Sequence, residues 1–351
     1  MNRMSYSSKR QGGFGLIEIM VAMTLGLILL LGVTSLIATN NATYRLTDNM
    51  GKVQENSRFL KNLLNKDLRM VGYKGCATRQ NITITNTLKN SSDLAYNFSD
   101  DGLVGYDNLS ATLPDELNTF LSGDPQPIAG SDLIIIRSPS GDRVSIVDNN
   151  DAAQLFAASA ASNTFAVGDI VMVSDCKKAR IFQISNLTEN ANAGKVNVVH
   201  SKSQNLTPGN SVSSWGPPST EESFGTSAHL IAYQTTTFFI ANNPTTGVPT
   251  LYKKVNANKA LPLINGIYAF QIRYGEDTDG DSQVDVYHSA SAVAGWKSVT
   301  AIRIETILGS DDTGMVTKPQ KLAFNQSTFN ATDTRWYMTQ EIVSTLRNRI
   351  N

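Results

Sequence analysis

The stretch from Phe14 to Ala38 constrains the fold more than any other part of this 351-residue chain. It is predominantly apolar, with Glu18 as its one charged residue. At 1.5 Å per residue, a helix over these positions spans about 37 Å, enough to cross a bilayer with some tilt. The preceding residues, MNRMSYSSKRQGG, carry Arg3, Lys9 and Arg10 and no acid. The positive-inside rule keeps such a leader cytoplasmic and places everything after residue 40 across the membrane. A carboxylate in mid-bilayer costs roughly 2.5–3.5 kcal/mol on insertion scales, so Glu18 calls for a compensating partner. An ordinary secretory signal does not fit, because the apolar run is too long and no small-residue cleavage site follows it. An uncleaved signal anchor explains the length and the leader charges but leaves Glu18 unexplained.

After Asn40 the apolar residues become periodic: Leu46, Met50, Val53, Leu60, Leu64, Leu68 and Val71, with Ser57 filling one gap. Steps of three and four make a single apolar stripe on an amphipathic helix. No proline interrupts residues 14–71. The pattern predicts one helix to about Val71, about 87 Å long if continuous, whose second half is the spine of a globular head. Two helices broken near Asn40–Asn41 are the alternative. From Gly72 onward, short β-rich runs alternate with Gly, Asn, Asp, Ser and Pro clusters, as in SDLIIIRS (131–138), HLIAYQTTTFFIA (229–241) and VTAIRIETIL (299–308). Segments 86–130, 201–227 and 309–334 read as long loops or irregular insertions. The fold class is α+β, a long N-terminal helix packed on an antiparallel β-sheet head.

Composition narrows the function. Formal net charge is zero, which gives no global attraction to nucleic acid or anionic lipid. The three histidines are scattered at 200, 229 and 288, a poor basis for a metalloenzyme or a histidine-based catalytic set. No G-x-S-x-G, H-E-x-x-H or phosphate-binding P-loop occurs, and GGFGL follows no strand. A membrane-anchored periplasmic enzyme or binding protein would need convergent catalytic groups, and the sequence offers no such set.

Gly13, Phe14 and Glu18, followed by a long apolar helix, resemble the class III signal of type IV pilins and pseudopilins. The resemblance implies cleavage by a prepilin peptidase between Gly13 and Phe14 and methylation of the new terminal amine. Glu18 would then pair with the Phe14 amine of a neighbouring subunit, relieving two charges that are each costly to bury alone. The segments VGYKGC (71–76), SDCKKARIFQIS (174–185), RYGEDTDGDSQVD (273–285), WKSVTAIRIETIL (296–308) and STLRNRI (344–350) together resemble PilW-type minor pilins. These are similar to the J-type minor pseudopilins of type II secretion, which remain the alternative. On this reading the chain divides into a leader (1–13), a transmembrane and assembly helix (14–38), a spine helix (39–71) and a periplasmic head (72–351). The resemblance implies a subunit that primes or caps the pilus and sits at its tip. Its partners would be the prepilin peptidase, other minor pilins, the major pilin and the inner-membrane assembly platform. No direct nucleic-acid site is evident.

Two further features follow from the compartment and the residues. The only cysteines, Cys76 and Cys176, would lie in an oxidising space and are expected to pair, with two buried free thiols as the alternative. Closing a loop of about 100 residues is worth roughly 4.7 kcal/mol in the chain-entropy model before strain. Asp277, Asp279, Asp281 and Asp285 lie close together around Gly280 and could supply oxygens to Ca²⁺. The spacing matches an EF-hand only in part: Gly280 is at position four and His288 at position twelve. A solvated hairpin turning at Asp279–Gly280 is the other reading.

Overall fold

The computed structural model describes residues 13, 15–75, 82, 84–98, 102–149, 154–190, 194–202, 205–215 and 223–350. The chain divides into two compact units between Lys52 and Val53. Helix α1 (Leu16–Leu68) begins in the first and ends in the second, and it is continuous through Asn40–Asn41. In the first unit, the large apolar side chains from Leu16 to Ile37 are exposed, Leu16 at 79% and Leu31 at 70%. The hydroxyls of Thr24 and Thr34 donate to carbonyls three and four residues back, at 2.9–3.1 Å. Polar groups satisfied inside their own helix suit an apolar surrounding.

In the second unit, Val53, Leu60, Leu64 and Leu68 are buried, as is Val71 just beyond the helix. Each contributes about 2 kcal/mol by leaving water. Ser57, the gap in the stripe, has its carbonyl occupied by Gln340 Nε2 at 2.9 Å. The helix ends as Met70 and Val71 switch to carbonyls three residues back, and Gly72 adopts φ +76°. Asn348 Nδ2 then caps the freed carbonyls of Arg69 (2.8 Å) and Val71 (3.3 Å).

The head elements are, in order, β1 (Ile84–Asn86), β2 (Leu103–Tyr106), α2 (Asp115–Phe120), β3 (Leu133–Asn149), β4 (Gln154–Ala158), α3 (Ala161–Thr164), β5 (Ile170–Ser174), β6 (Ala179–Gln183), β7 (Asn186–Asn190), β8 (Lys195–Val199), β9 (His229–Asn242), β10 (Pro249–Val255), β11 (Leu261–Asn265), β12 (Ile267–Glu276), β13 (Val286–His288), β14 (Val299–Gly309), β15 (Lys321–Phe324), β16 (Ser327–Asn330) and β17 (Tyr337–Thr345). The large sheet runs β1-β6-β5-β9-β3-β4-β8-β7, with β2 added on β3, and β10 joining β11 to β9. A smaller sheet runs β13-β12-β14-β17. The described pairings are antiparallel except β1 with β6.

The unbroken run LIII in β3 is buried on both faces. Ile134 and Ile136 join the core with Leu60, Leu64 and Leu68 of α1. Leu133 and Ile135 face the other way, against Leu117 of α2 and Leu121. A sheet covered on both sides removes the polar alternation of a half-solvated strand. Asp132, 2% exposed, joins the two sheets: its carboxylate accepts the Asn108 and Ile272 amides at 2.8 and 2.7 Å. Burial pushes its pKa up to about 6, partly offset by those two amides.

Two segments expected to be irregular carry regular structure. Segment 86–130 contains β2 and α2, and segment 309–334 contains the β15–β16 hairpin. The hairpin turns on Asn325 and Gln326, both at positive φ, without the glycine that usually signals such a turn. Asn325 is held by Glu305 through its amide, and by Arg273 and Gln271 through its side chain.

His200 is fully buried between Phe182 and Trp215, and neither ring nitrogen has a hydrogen-bond partner among the described residues. Burial first, and nearby Arg180 second, lower its pKa to about 4. Because the folded pKa lies below the unfolded one, this stability is present above about pH 6.5 and is lost as pH falls toward 4. The shift corresponds to about 3 kcal/mol. His200→Leu should therefore flatten the fall in stability between pH 7 and pH 4, read by denaturant melts across that range. An unchanged slope would show that His200 does not set it.

Candidate functional site: the start of the helix and the acidic loop

Gly15 is the residue from which α1 starts: its carbonyl accepts the amides of Glu18 and Ile19 at 3.0 and 3.3 Å. Glu18 Oε2 reaches back to accept the Gly15 amide at 3.1 Å. This is the acidic half of a capping box, in which the third helical residue satisfies an orphan donor at the cap. The carboxylate also sits in the first turn, at the positive end of the helix dipole. The other oxygen, Oε1, has no partner among the described residues. The dipole site was legible in the sequence but the cap on the Gly15 amide was not, and Glu18 retains one oxygen to accept an ammonium group. Gly13 is exposed, and Phe14 lies outside the described residues.

Residues 277–285 form a loop that joins β12 to β13, whose pairing ends at Glu276 with Val286. It is wider than a two-residue turn at Asp279–Gly280. Asp277, Asp279 and Asp285 each bring one carboxylate oxygen within 4.8 Å of the other two. Asp281 turns elsewhere, accepting Gln283 N and Nε2 at 2.7 and 2.8 Å. Asp277 accepts Gly280 N on one oxygen and Ser282 N on the other. Thr278 donates to Asp285 through both its hydroxyl and its amide, and the hydroxyl is the main cause holding that carboxyl below its ordinary pKa. The loop is anchored by Glu276, 1% exposed, which accepts the Ser298 hydroxyl at 2.9 Å. Three convergent carboxylates offer hard oxygen ligands of the kind Ca²⁺ takes.

Of the two cysteines, Cys176 is described, in the turn after β5, and Cys76 lies outside the described residues. Ser174 donates its hydroxyl to the Lys74 carbonyl at 2.7 Å, and a Cβ on Gly75 would meet Ser174 Oγ at 3.2 Å. The chain entering Cys76 thus runs beside the strand leading to Cys176.

The helix that carries Glu18 is long and apolar enough to cross a membrane, with mean hydropathy 2.5 over its best window. Residues 8–34 match the family model of the prokaryotic N-terminal methylation motif. Residues 237–348 match that of type IV pilus-assembly protein W, PilW. Together these two matches support a PilW-type minor pilin of the type IV pilus. The PilW match covers the end of β9, all of β10 to β17 and the Asn348 cap, so it contains the small sheet and the acidic loop. No curated protein and no solved structure matches the chain. PilW-type pilins are structural components that interact with other parts of the pilus.

Proposed function

We propose that this PilW-type pilin joins other minor pilins to prime or cap pilus assembly, after a prepilin peptidase cuts between Gly13 and Phe14. The head would stand in the periplasm and then at the pilus tip. The observation that carries the reading is the helix start, where an apolar surface with no cover inside the protein begins at an acid with one oxygen still available. The N-methylated Phe14 amine of a neighbouring subunit supplies the missing cation, and the apolar faces of neighbouring helices supply the missing cover. Mass spectrometry of the native protein tests the processing step. The expected N-terminus is methylated Phe14; a chain retaining its first thirteen residues would remove the amine on which the assembly contact depends. Alkylation without reduction, in the same sample, should leave Cys76 and Cys176 unmodified if they are paired.

The acidic loop extends this reading. We propose that Asp277, Asp279 and Asp285 hold Ca²⁺ and stiffen the end of the small sheet, with Asp281 outside the site. Calcium should raise the melting temperature of the purified protein but not that of its Asp279→Ala variant. Equal shifts in both proteins would show that the loop is a solvated turn.

A further inference from the structure

A cavity of about 890 Å³ lies in the second unit, and no residue of the acidic loop lines it. It forms where the bulge of β3 at Ser140–Arg143 meets the segment joining α3 to β5 and the turn after β10. Its volume is that of a site for a small ligand. Its lining holds carboxylates, amides, hydroxyls and aromatic rings, but no lysine, arginine or histidine. Asp142, Asn163 and Asn258 on its rim are exposed, and their side chains make no hydrogen bond to any described residue. Gln234 donates through Nε2 to Thr236, which leaves its Oε1 as an acceptor. Tyr96 is only 6% exposed yet lines the cavity, and its hydroxyl has no partner among the described residues. Burial, with Asp93 as the second cause, raises its pKa, so it remains a hydrogen-bond donor. Phe165 adds an aromatic surface.

This lining discriminates among ligands. An anion would meet two carboxylates, Asp142 and Asp169, with no cation to offset them. An apolar ligand would strip water from convergent polar groups and leave them unpaired, at about 1–3 kcal/mol for each. A peptide would find little aliphatic surface, since Ile170 and Val255 are the only large aliphatic residues of the lining. A molecule dense in hydroxyls fits, because each hydroxyl both donates and accepts. We infer that this cavity is a binding site for an uncharged saccharide.

The full-length protein, held in a non-glycosidic detergent, should be applied to an array of neutral oligosaccharides printed beside their sialylated counterparts. A peptide array serves as the comparison. Saturable binding to neutral glycans is expected, with sialylated forms at least about tenfold weaker. The double variant Asp142→Ala, Asn258→Ala, with an unchanged melting temperature, should lose about tenfold or more in affinity. The inference fails if no glycan binds, if sialylated and neutral forms bind equally, if the double variant binds as well as the parent, or if the cavity variants alter peptide binding alone.

Discussion

Glu18→Gln should exclude the subunit from pili while leaving it inserted in the membrane. The two roles of this carboxylate differ in size and respond differently to substitution. As a cap it accepts the Gly15 amide at 3.1 Å, a contact worth about 1 kcal/mol. Glutamine keeps an oxygen for that contact. As a counter-ion to a neighbour's terminal ammonium it acts in low dielectric, where removing one member of a buried pair costs about 3–5 kcal/mol. Glutamine cannot serve there. Insertion itself should not suffer, because a neutral side chain enters the bilayer more easily than a charged one. The expected loss from sheared pili exceeds about a hundredfold, since every 1.4 kcal/mol is a factor of ten. Immunoblots of pilus and membrane fractions read both quantities. Glu18→Ala loses the cap as well and should be no worse in assembly than Glu18→Gln. If the glutamine variant enters pili at the parental level, capping is the reason for the acid and the intersubunit pair is wrong.

The sequence made the helix legible because its signals are local. The stripe from Val53 to Leu68 repeats every three or four residues, and each of its leucines is buried where the period puts it. The strands were legible from apolar runs, and the turn signals between them marked most boundaries. The short resemblances were individually weak because their meaning is spatial. Gly72 of VGYKGC, Trp296 and Val299 of WKSV, and Asn348 and Arg349 of STLRNRI meet at the end of α1. There Arg349 donates to the carbonyls of Trp296 and Val299, and a Cβ on Gly72 would lie 3.0 Å from Arg349 Cγ. No local pattern announces such a node. The β15–β16 hairpin was missed because Asn325–Gln326 lacks glycine, and three side chains from β12 and β14 hold it in place instead. At the candidate site, Glu18 was found as an anomaly in an apolar run, but its cap on Gly15 was not. In the acidic loop, spacing counted four aspartates, while the backbone converges three and turns Asp281 onto Gln283.

Asp124→Ala should be the most damaging single change in the head. Asp124 follows α2, and Lys254 lies on β10, 130 residues away in sequence. Their Nζ–Oδ2 distance is 2.6 Å, and their side chains are 4% (Lys254) and 2% (Asp124) exposed. Sequence gives no hint of the pair, since Lys254 in TLYKKV reads as a surface residue. Each partner makes a further hydrogen bond: Asp124 Oδ1 accepts the Ala260 amide at 2.8 Å, and Lys254 Nζ also donates to the Asn258 carbonyl at 2.9 Å. The Phe120 ring lies 5.1 Å from the same nitrogen. Removing the carboxylate leaves a buried ammonium without its counter-ion, at a cost of about 3–5 kcal/mol. For a domain of this size that lowers the melting temperature by on the order of 10 °C. Lys254→Met should cost a similar amount by stranding Asp124. The double variant Asp124→Leu, Lys254→Met removes both charges and should recover most of the loss, because an apolar pair of similar volume replaces a buried ion pair at little net cost. Thermal melts of the parent, Asp124→Leu, Lys254→Met and their double variant close the cycle, and the coupling between the single changes measures the pair directly. Additive losses in the double variant would mean that the two residues act through packing, and that the charges themselves contribute nothing to holding the α2 layer on the sheet.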